Sequence, residues 1–159
     1  MIPLLKESGL KLVYIGIESS DPKVLKDIKR FTIANDEQQI IINKLKNNDI
    51  LVKSMFMFGN PEDNEDSIKD TISYSMKLSN HLVQYSVFTP YPGTPIFSHY
   101  ENKIIEKRYD KFNQYNLTFK HKNLDNKKIK TLKNYGYKKF YLRLKNLPII
   151  IKSGLSFFK

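Results

Sequence analysis

Leu12-Val13-Tyr14-Ile15-Gly16-Ile17 is a short, nearly continuous apolar run rich in β-branched residues. It has the pattern of a strand buried on both faces, as in a parallel sheet. Working outward, the same kind of run returns twice. Leu51-Val52-Lys53-Ser54-Met55-Phe56-Met57-Phe58 is broken by Gly59-Asn60-Pro61, and Val83-Gln84-Tyr85-Ser86-Val87-Phe88 is closed by the proline-rich Thr89-Pro90-Tyr91-Pro92-Gly93-Thr94-Pro95. Helix signals fill the intervals. Ser20-Asp21-Pro22 offers an N-cap and a first-turn proline, opening a helix to about Lys29. A second start lies at Thr32 to Asp36, with Ile40, Ile41 and Leu45 as its apolar stripe and Asn47-Asn48-Asp49 as its end. Glu62, Asp63, Glu65 and Asp66 crowd the start of the next helix, where the helix dipole favours negative charge, and Ile68, Ile72 and Met76 mark its buried face. Strands alternating with helices predict β-α units in an α/β fold with a parallel sheet.

From Lys103 the pattern changes. Asp125 to about Lys145 reads as one amphipathic helix carrying Ile129, Leu132, Gly136 and Phe140 on one face, ended by Pro148. Charge divides in the same place: residues 1–102 carry a net −2 and residues 103–159 a net +13, within an overall +11. Two regions are therefore expected, residues 1–110 with the strands and residues 111–159 as a basic helical extension. At 159 residues the chain is shorter than the roughly 200 that a closed eight-fold β/α barrel needs.

Composition excludes several chemistries. The sequence has no cysteine, so disulfides, thiolate metal sites and cysteine nucleophiles are ruled out. His81, His99 and His121 do not fall at metal-ligand spacing, and no metal ligands are assigned. The N-terminal MIPLLKESGLK lacks the features of a signal peptide, and no apolar run approaches the ~20 residues that span a bilayer. The expected location is the cytoplasm.

In a β/α barrel, ligands meet the C-terminal ends of the strands. Glu18, Gly59-Asn60-Pro61-Glu62 and Thr89-Pro90-Tyr91-Pro92 would share that rim. A glutamate ending an apolar strand is costly unless solvated or paired.

Tyr14-Ile15-Gly16-Ile17-Glu18-Ser19, Phe56-Met57-Phe58-Gly59-Asn60-Pro61-Glu62 and Phe88-Thr89-Pro90-Tyr91-Pro92-Gly93-Thr94-Pro95, in that order, resemble the later strands of radical S-adenosylmethionine (SAM) domains. The closest branch is the cobalamin-binding group, whose members often end in a segment like Phe140-Tyr141-Leu142-Arg143. The resemblance covers about residues 5 to 145. It implies a partial TIM-type β/α barrel, S-adenosylmethionine and a [4Fe-4S] cluster as cofactors, and cobalamin in the parent protein. It also implies that Glu18 contacts the ribose or amino-acid end of S-adenosylmethionine and that Arg30 pairs with its carboxylate. Met57, Phe58 and Gly59 resemble the segment that packs on the adenine, with Pro90, Tyr91 and Pro92 shaping the substrate rim. No catalytic residue is assigned.

The departures are equally specific. The family holds its cluster with three cysteines spaced CxxxCxxC after the first barrel strand. This chain has none, and it also lacks the glycine-rich segment after the second strand. It reads as beginning at the family's fourth strand, so it is expected to be inactive alone. A separate polypeptide carrying the N-terminal half is the first candidate partner. The edge of the first strand, Leu12–Glu18, and the barrel-facing side of the sheet are then expected to lie open, unless the C-terminal helix folds back over that face.

The basic tail leaves three readings. Lys127, Lys128, Lys130, Lys133, Lys138, Lys139, Arg143 and Lys145 interleave with Tyr135, Tyr137, Phe140 and Tyr141. That mixture suits nucleic acid, or, with Ile149-Ile150-Ile151, Leu155, Phe157 and Phe158, an anionic membrane. It suits a solvated helix face as well.

Overall fold

The computed structural model describes residues 1–30 and 35–143. The elements in chain order are α1 (Ile2–Glu7), β1 (Leu12–Glu18), α2 (Pro22–Asp27), α3 (Asn35–Asn47), β2 (Leu51–Phe58), α4 (Glu65–Lys77), β3 (Leu82–Val87), α5 (Pro95–Tyr100) and α6 (Asn126–Tyr141), with two 3-10 turns between α5 and α6. The strands form one parallel sheet in the order β1-β2-β3. The α/β class and all three strands agree with the sequence. Helix starts are chemically marked. Asp21 caps α2 by accepting from Lys23 N–H at 2.8 Å, and Asp125 caps α6 by accepting from Lys128 N–H at 2.7 Å. Asn64 and Ser67 form a reciprocal capping box on α4.

The two faces of the sheet differ. Val52, Ser54, Phe56 and Phe58 of β2 alternate with Lys53, Met55 and Met57, and the first set is buried. With Ile17, Val83, Tyr85 and Val87 they meet Ile42 and Leu45 of α3, Ile68 and Ile72 of α4, and Ile129, Leu132 and Phe140 of α6 in one core. The opposite face, bearing Tyr14, Lys53, Met55, Gln84 and Ser86, carries no helix layer among the described residues.

One sequence reading needs correction. Ile40 and Ile41 are exposed, and Ile42 with Leu45 forms the buried face of α3. Three consecutive isoleucines fit several phases of a 3.6 period, so the pattern did not select among them. The C-terminal helix does not take the alternative of folding over the open face of the sheet. The stripe of Ile129, Leu132, Gly136 and Phe140 is buried as expected, but α6 packs with α4 in the helix layer.

Tyr85, 1% exposed, is the pivot of that packing. Its ring lies 4.9 Å from Phe58 and 5.0 Å from Tyr137, centroid to centroid. Its hydroxyl lies 2.6 Å from Ser75 Oγ, which in turn donates to the Ile72 carbonyl. Burial pushes the Tyr85 phenol up to about 12. Gly136 lets α6 approach this group: a Cβ there would lie 2.9 Å from the Tyr85 ring and 3.2 Å from Ile72.

The outer edge of β3 is closed by side chains and loop. Tyr137 Oη accepts from Tyr85 N–H at 3.0 Å, and Tyr141 Oη accepts from Val83 N–H at 3.1 Å while donating to the Val83 carbonyl at 3.0 Å. Val87 N–H donates to the Gln114 carbonyl at 2.7 Å. The rise of four helical residues, about 6 Å, matches that of two strand residues, so two phenols one turn apart meet alternate strand positions. The β1 edge is different. Lys11 C=O accepts from Leu51 N–H, so alternation directs the backbone groups of Leu12, Tyr14 and Gly16 outward, and the described residues hold no strand beyond β1.

Of the basic-tail residues, Lys133 is buried, its ammonium 5.3 Å from the Tyr115 ring centroid, and burial lowers its pKa. Tyr137, Phe140 and Tyr141 turn inward, which leaves Tyr135 exposed beside Lys139. Lys145, Pro148, Ile149 to Ile151, Leu155, Phe157 and Phe158 lie outside the described residues. Among the described residues no helix is long and apolar enough to cross a membrane.

Replacing Tyr137 and Tyr141 by Phe keeps both rings but leaves β3 backbone groups unpaired, at a cost of about 1–3 kcal/mol per site. Urea unfolding of the single and double variants measures it. Gly136→Ala should destabilise by a similar amount, about 1–3 kcal/mol, through overpacking against Tyr85.

Candidate functional site

Parallel pairing brings the ends of β1 and β2, Glu18 and Phe58, and the end of β3, Val87, to one side of the sheet. At that rim β1 is irregular. Gly16 pairs with Met55, but Glu18 pairs with the next residue, Phe56, and Glu18 takes a left-handed backbone with φ 68°. Such a bulge re-aims a side chain. The Glu18 carboxylate turns back over Gly16, where a Cβ would lie 2.7 Å from Glu18 Oε1 and 2.9 Å from Arg30 Nη2. Gly16 is therefore a glycine for space: any side chain there displaces both charged groups.

Arg30 reaches the same point from the end of α2. Lys29 adopts a left-handed conformation (φ 52°) and Arg30 N–H donates to the Leu25 carbonyl at 2.9 Å, a turn that closes the helix and reverses the chain. Arg30 Nη2 then lies 3.6 Å from Glu18 Oε1, with side-chain exposures of 52% and 20%. A pair this exposed on one side contributes little to stability. Burial pushes the Glu18 carboxyl above its usual range, and the Arg30 guanidinium offsets only part of that rise.

The pair borders a cleft of about 330 Å³ lined also by Asp27, Ile28, Met57, Pro61, Phe88 and Ile96. The structure thus brings together Glu18, Arg30 and Met57 of the expected cofactor residues. Gly59, with φ 76°, faces away from it: a Cβ there would lie 2.8 Å from Ile129 Cδ1. Pro90 is buried, and Tyr91 and Pro92 are exposed beyond the cleft lining, where the Tyr91 carbonyl accepts from Thr94 Oγ1 at 2.6 Å. Asp27 and Ile96 escaped the sequence reading, because nothing in their spacing connects them to Glu18. Ile96 belongs to α5, whose Thr94 cap and Pro95 were a legible start signal inside a string read as loop.

Behind Pro61 lies a buried polar cluster. The Asp63 carboxylate accepts from Ser67 Oγ at 2.7 Å and from Asn60 N–H at 2.9 Å, and burial still raises its pKa. His121 Nδ1 accepts from the N–H groups of Asn123 and Leu124 at 3.0 and 3.2 Å, which leaves Nε2 to donate to the Asn60 carbonyl at 2.8 Å. These bonds fix the turn after β2 and with it one wall of the cleft.

The raised pKa of Glu18 has a definite sign. The folded state holds this proton more tightly than the unfolded chain, so the group's contribution is complete below the ordinary carboxylate range and is lost as pH rises through the folded pKa. Glu18→Gln cannot ionise. Its stability relative to wild type should rise between about pH 4 and neutrality, measured by thermal melts across that range. Arg30→Met should move the Glu18 carboxyl further up, read by NMR titration.

The chain is similar in sequence and fold to several known proteins. Residues 1–74 match the profile of the Radical SAM superfamily. The chain is 29% identical over 122 residues to the bacteriochlorophyllide d C-12(1)-methyltransferase of Chlorobaculum tepidum, covering 77% of this chain and 27% of that one. It is 23% identical over 145 residues to the anaerobic magnesium-protoporphyrin IX monomethyl ester cyclase of Cereibacter sphaeroides, covering 90% of this chain and 23% of that one. The chain therefore spans about a quarter of the length of these curated relatives. In fold it is similar to the radical S-adenosylmethionine methyltransferase TsrM of Kitasatospora setae, solved with cobalamin and a [4Fe-4S] cluster bound, with TM-score 0.55, 19% identity and coverage of 64% of this chain and 20% of that one. The profile match, the curated relatives and the fold point the same way, and the chain is similar to proteins of the radical SAM superfamily.

Proposed function

We propose that this chain forms the later part of a radical SAM barrel and supplies one side of its S-adenosylmethionine site, within a parent protein of the cobalamin-binding group. The observation that carries this reading is the convergence of Glu18 and Arg30 on one cleft, at the strand ends where the resemblance implies the cofactor's amino-acid and ribose end. The chemistry fits. A guanidinium holds a carboxylate bidentately at any physiological pH, and a carboxylate accepts from an ammonium or from ribose hydroxyls. Arg30, more than half exposed, is free to trade its 3.6 Å contact with Glu18 for a ligand carboxylate. Met57 offers a polarisable thioether to the cleft.

The [4Fe-4S] cluster does not fit this chain. Its ligands are thiolates, the sequence has no cysteine, and among the described residues no three His, Asp or Glu side chains cluster to hold a metal. On this reading the cysteines come from a complementary N-terminal half, whether of the same parent protein or of a separate polypeptide. The free edge of β1 is where its last strand would pair. The chain alone is then catalytically inactive, and the reaction of the assembled protein is S-adenosylmethionine-dependent radical chemistry, with methyl transfer and ring closure, the reactions its relatives are named for, as its candidate outcomes.

Two measurements test this. The chain alone, after anaerobic iron–sulfur reconstitution, should retain no cluster absorbance and form no 5′-deoxyadenosine; turnover would refute the reading. Combined with a CxxxCxxC-bearing N-terminal half of a relative, it should bind S-adenosylmethionine, and Glu18→Ala or Arg30→Ala should weaken that affinity by about 2–5 kcal/mol in calorimetry. Gly16→Ala should weaken it as well, by displacing both side chains at once.

A further inference from the structure

At the outer edge of β3, bordered by Tyr137 of α6 and reaching the open face of the sheet, lies a second cavity of about 260 Å³ whose chemistry differs from that of the cleft. Its floor is Lys53 on β2 with Gln84 and Ser86 on β3, and its wall is the loop Asn113-Gln114-Tyr115. The wall is fixed in place. The Gln114 carbonyl accepts from Val87 N–H at 2.7 Å, and Asn113 Oδ1 accepts from Tyr115 N–H at 3.1 Å. No acidic residue lines the cavity. Among the described residues no carboxylate pairs with Lys53; its ammonium rests 5.0 Å from the ring centroid of Tyr14, a β1 residue outside the cavity lining. Rotation of the flexible side chain away from that ring would bring it to the cavity, where the side-chain amides of Gln84 and Gln114 are committed to no protein group among the described residues.

We propose that this cavity binds a carboxylate, with Lys53 as its counter-ion and the amides of Gln84 and Gln114 as flanking donors. One uncompensated ammonium balances one negative charge, whereas a phosphate dianion would keep charge unpaired in a partly desolvated site. The volume falls below the roughly 300 Å³ at which whole-ligand pockets begin, so the cavity takes a carboxylate-bearing arm of a larger molecule. Lys53 lies four strand residues before Met57, about 13 Å along β2, with Met55 between them on the same face. A molecule anchored at Lys53 therefore extends over Met55 toward the rim. This deepens the proposed function by naming the anchoring group of the substrate, and rests on that reading only for the identity of the bound molecule as substrate.

The test uses the full chain without S-adenosylmethionine, so its failure and a failure of the cofactor site are distinguishable. Side-chain amide NMR is followed while propionate, propionamide or inorganic phosphate is added. Propionate should produce saturable shifts at Gln84 and Gln114 with a dissociation constant of about 1 mM. Lys53→Met should weaken it about tenfold or more, and Lys53→Arg should retain it. Absence of saturation with propionate, unchanged affinity in Lys53→Met, or equal binding of propionamide or phosphate would each overturn the proposal. The Lys53→Arg variant and the wild-type comparison of the three probes keep the test decisive should Lys53→Met fail to fold.

Discussion

The contact between α6 and β3 organises the rest of the molecule. Without a helix over Tyr85, the last strand of the sheet would present an apolar face and an unpaired edge together, and either invites association. One helix answers both. Gly136 admits it against the buried ring, and the phenols of Tyr137 and Tyr141 reach past the ring layer to the strand backbone. With β3 settled, the registers of β2 and β1 follow, and so does the position of the rim where Glu18 and Arg30 meet. The core is thus built from the β3 side of the sheet, by a helix that also carries six lysines.

The rim shows a different economy. Glu18 has a left-handed backbone and a half-desolvated carboxylate, and its ion pair returns only part of that cost. Structural side chains are seldom held this way. The arrangement is intelligible if Glu18 and Arg30 are kept poised for a ligand with complementary charges, and the buried Asn60–Asp63–His121 bonds keep the facing wall still.

How much of this was legible in the sequence depended on what kind of signal each residue carried. Strands bounded by apolar runs and by Gly or Pro breakers were read nearly to the residue, and the face of α6 was read correctly because Ile129, Leu132, Gly136 and Phe140 keep one period without competitors. Ile40, Ile41 and Ile42 gave no such choice. Tyr137 and Tyr141 were grouped with the lysines because a phenol counts as half polar by composition. That its hydroxyl would bond to a strand edge depends on the helix–strand distance, which no local pattern encodes. At the site, Glu18 stood out as a carboxylate ending an apolar strand, whereas Arg30 was found only through resemblance. Asp27, Ile96 and Lys53 entered only when tertiary structure brought separate segments to common cavities.

The substitution of hydroxyls for a neighbouring strand also has a consequence for motion. A strand edge held by another strand opens only when the sheet comes apart, whereas an edge held by two phenols opens whenever the helix that carries them lifts away. Amide protons of Val83 and Tyr85 are therefore gated by the docking of α6, while those of Leu12, Tyr14 and Gly16 face outward from the opposite edge without such a gate. Hydrogen exchange at the two margins of one small sheet thus reports two different things, helix undocking at one and the exposure of an unpaired strand edge at the other.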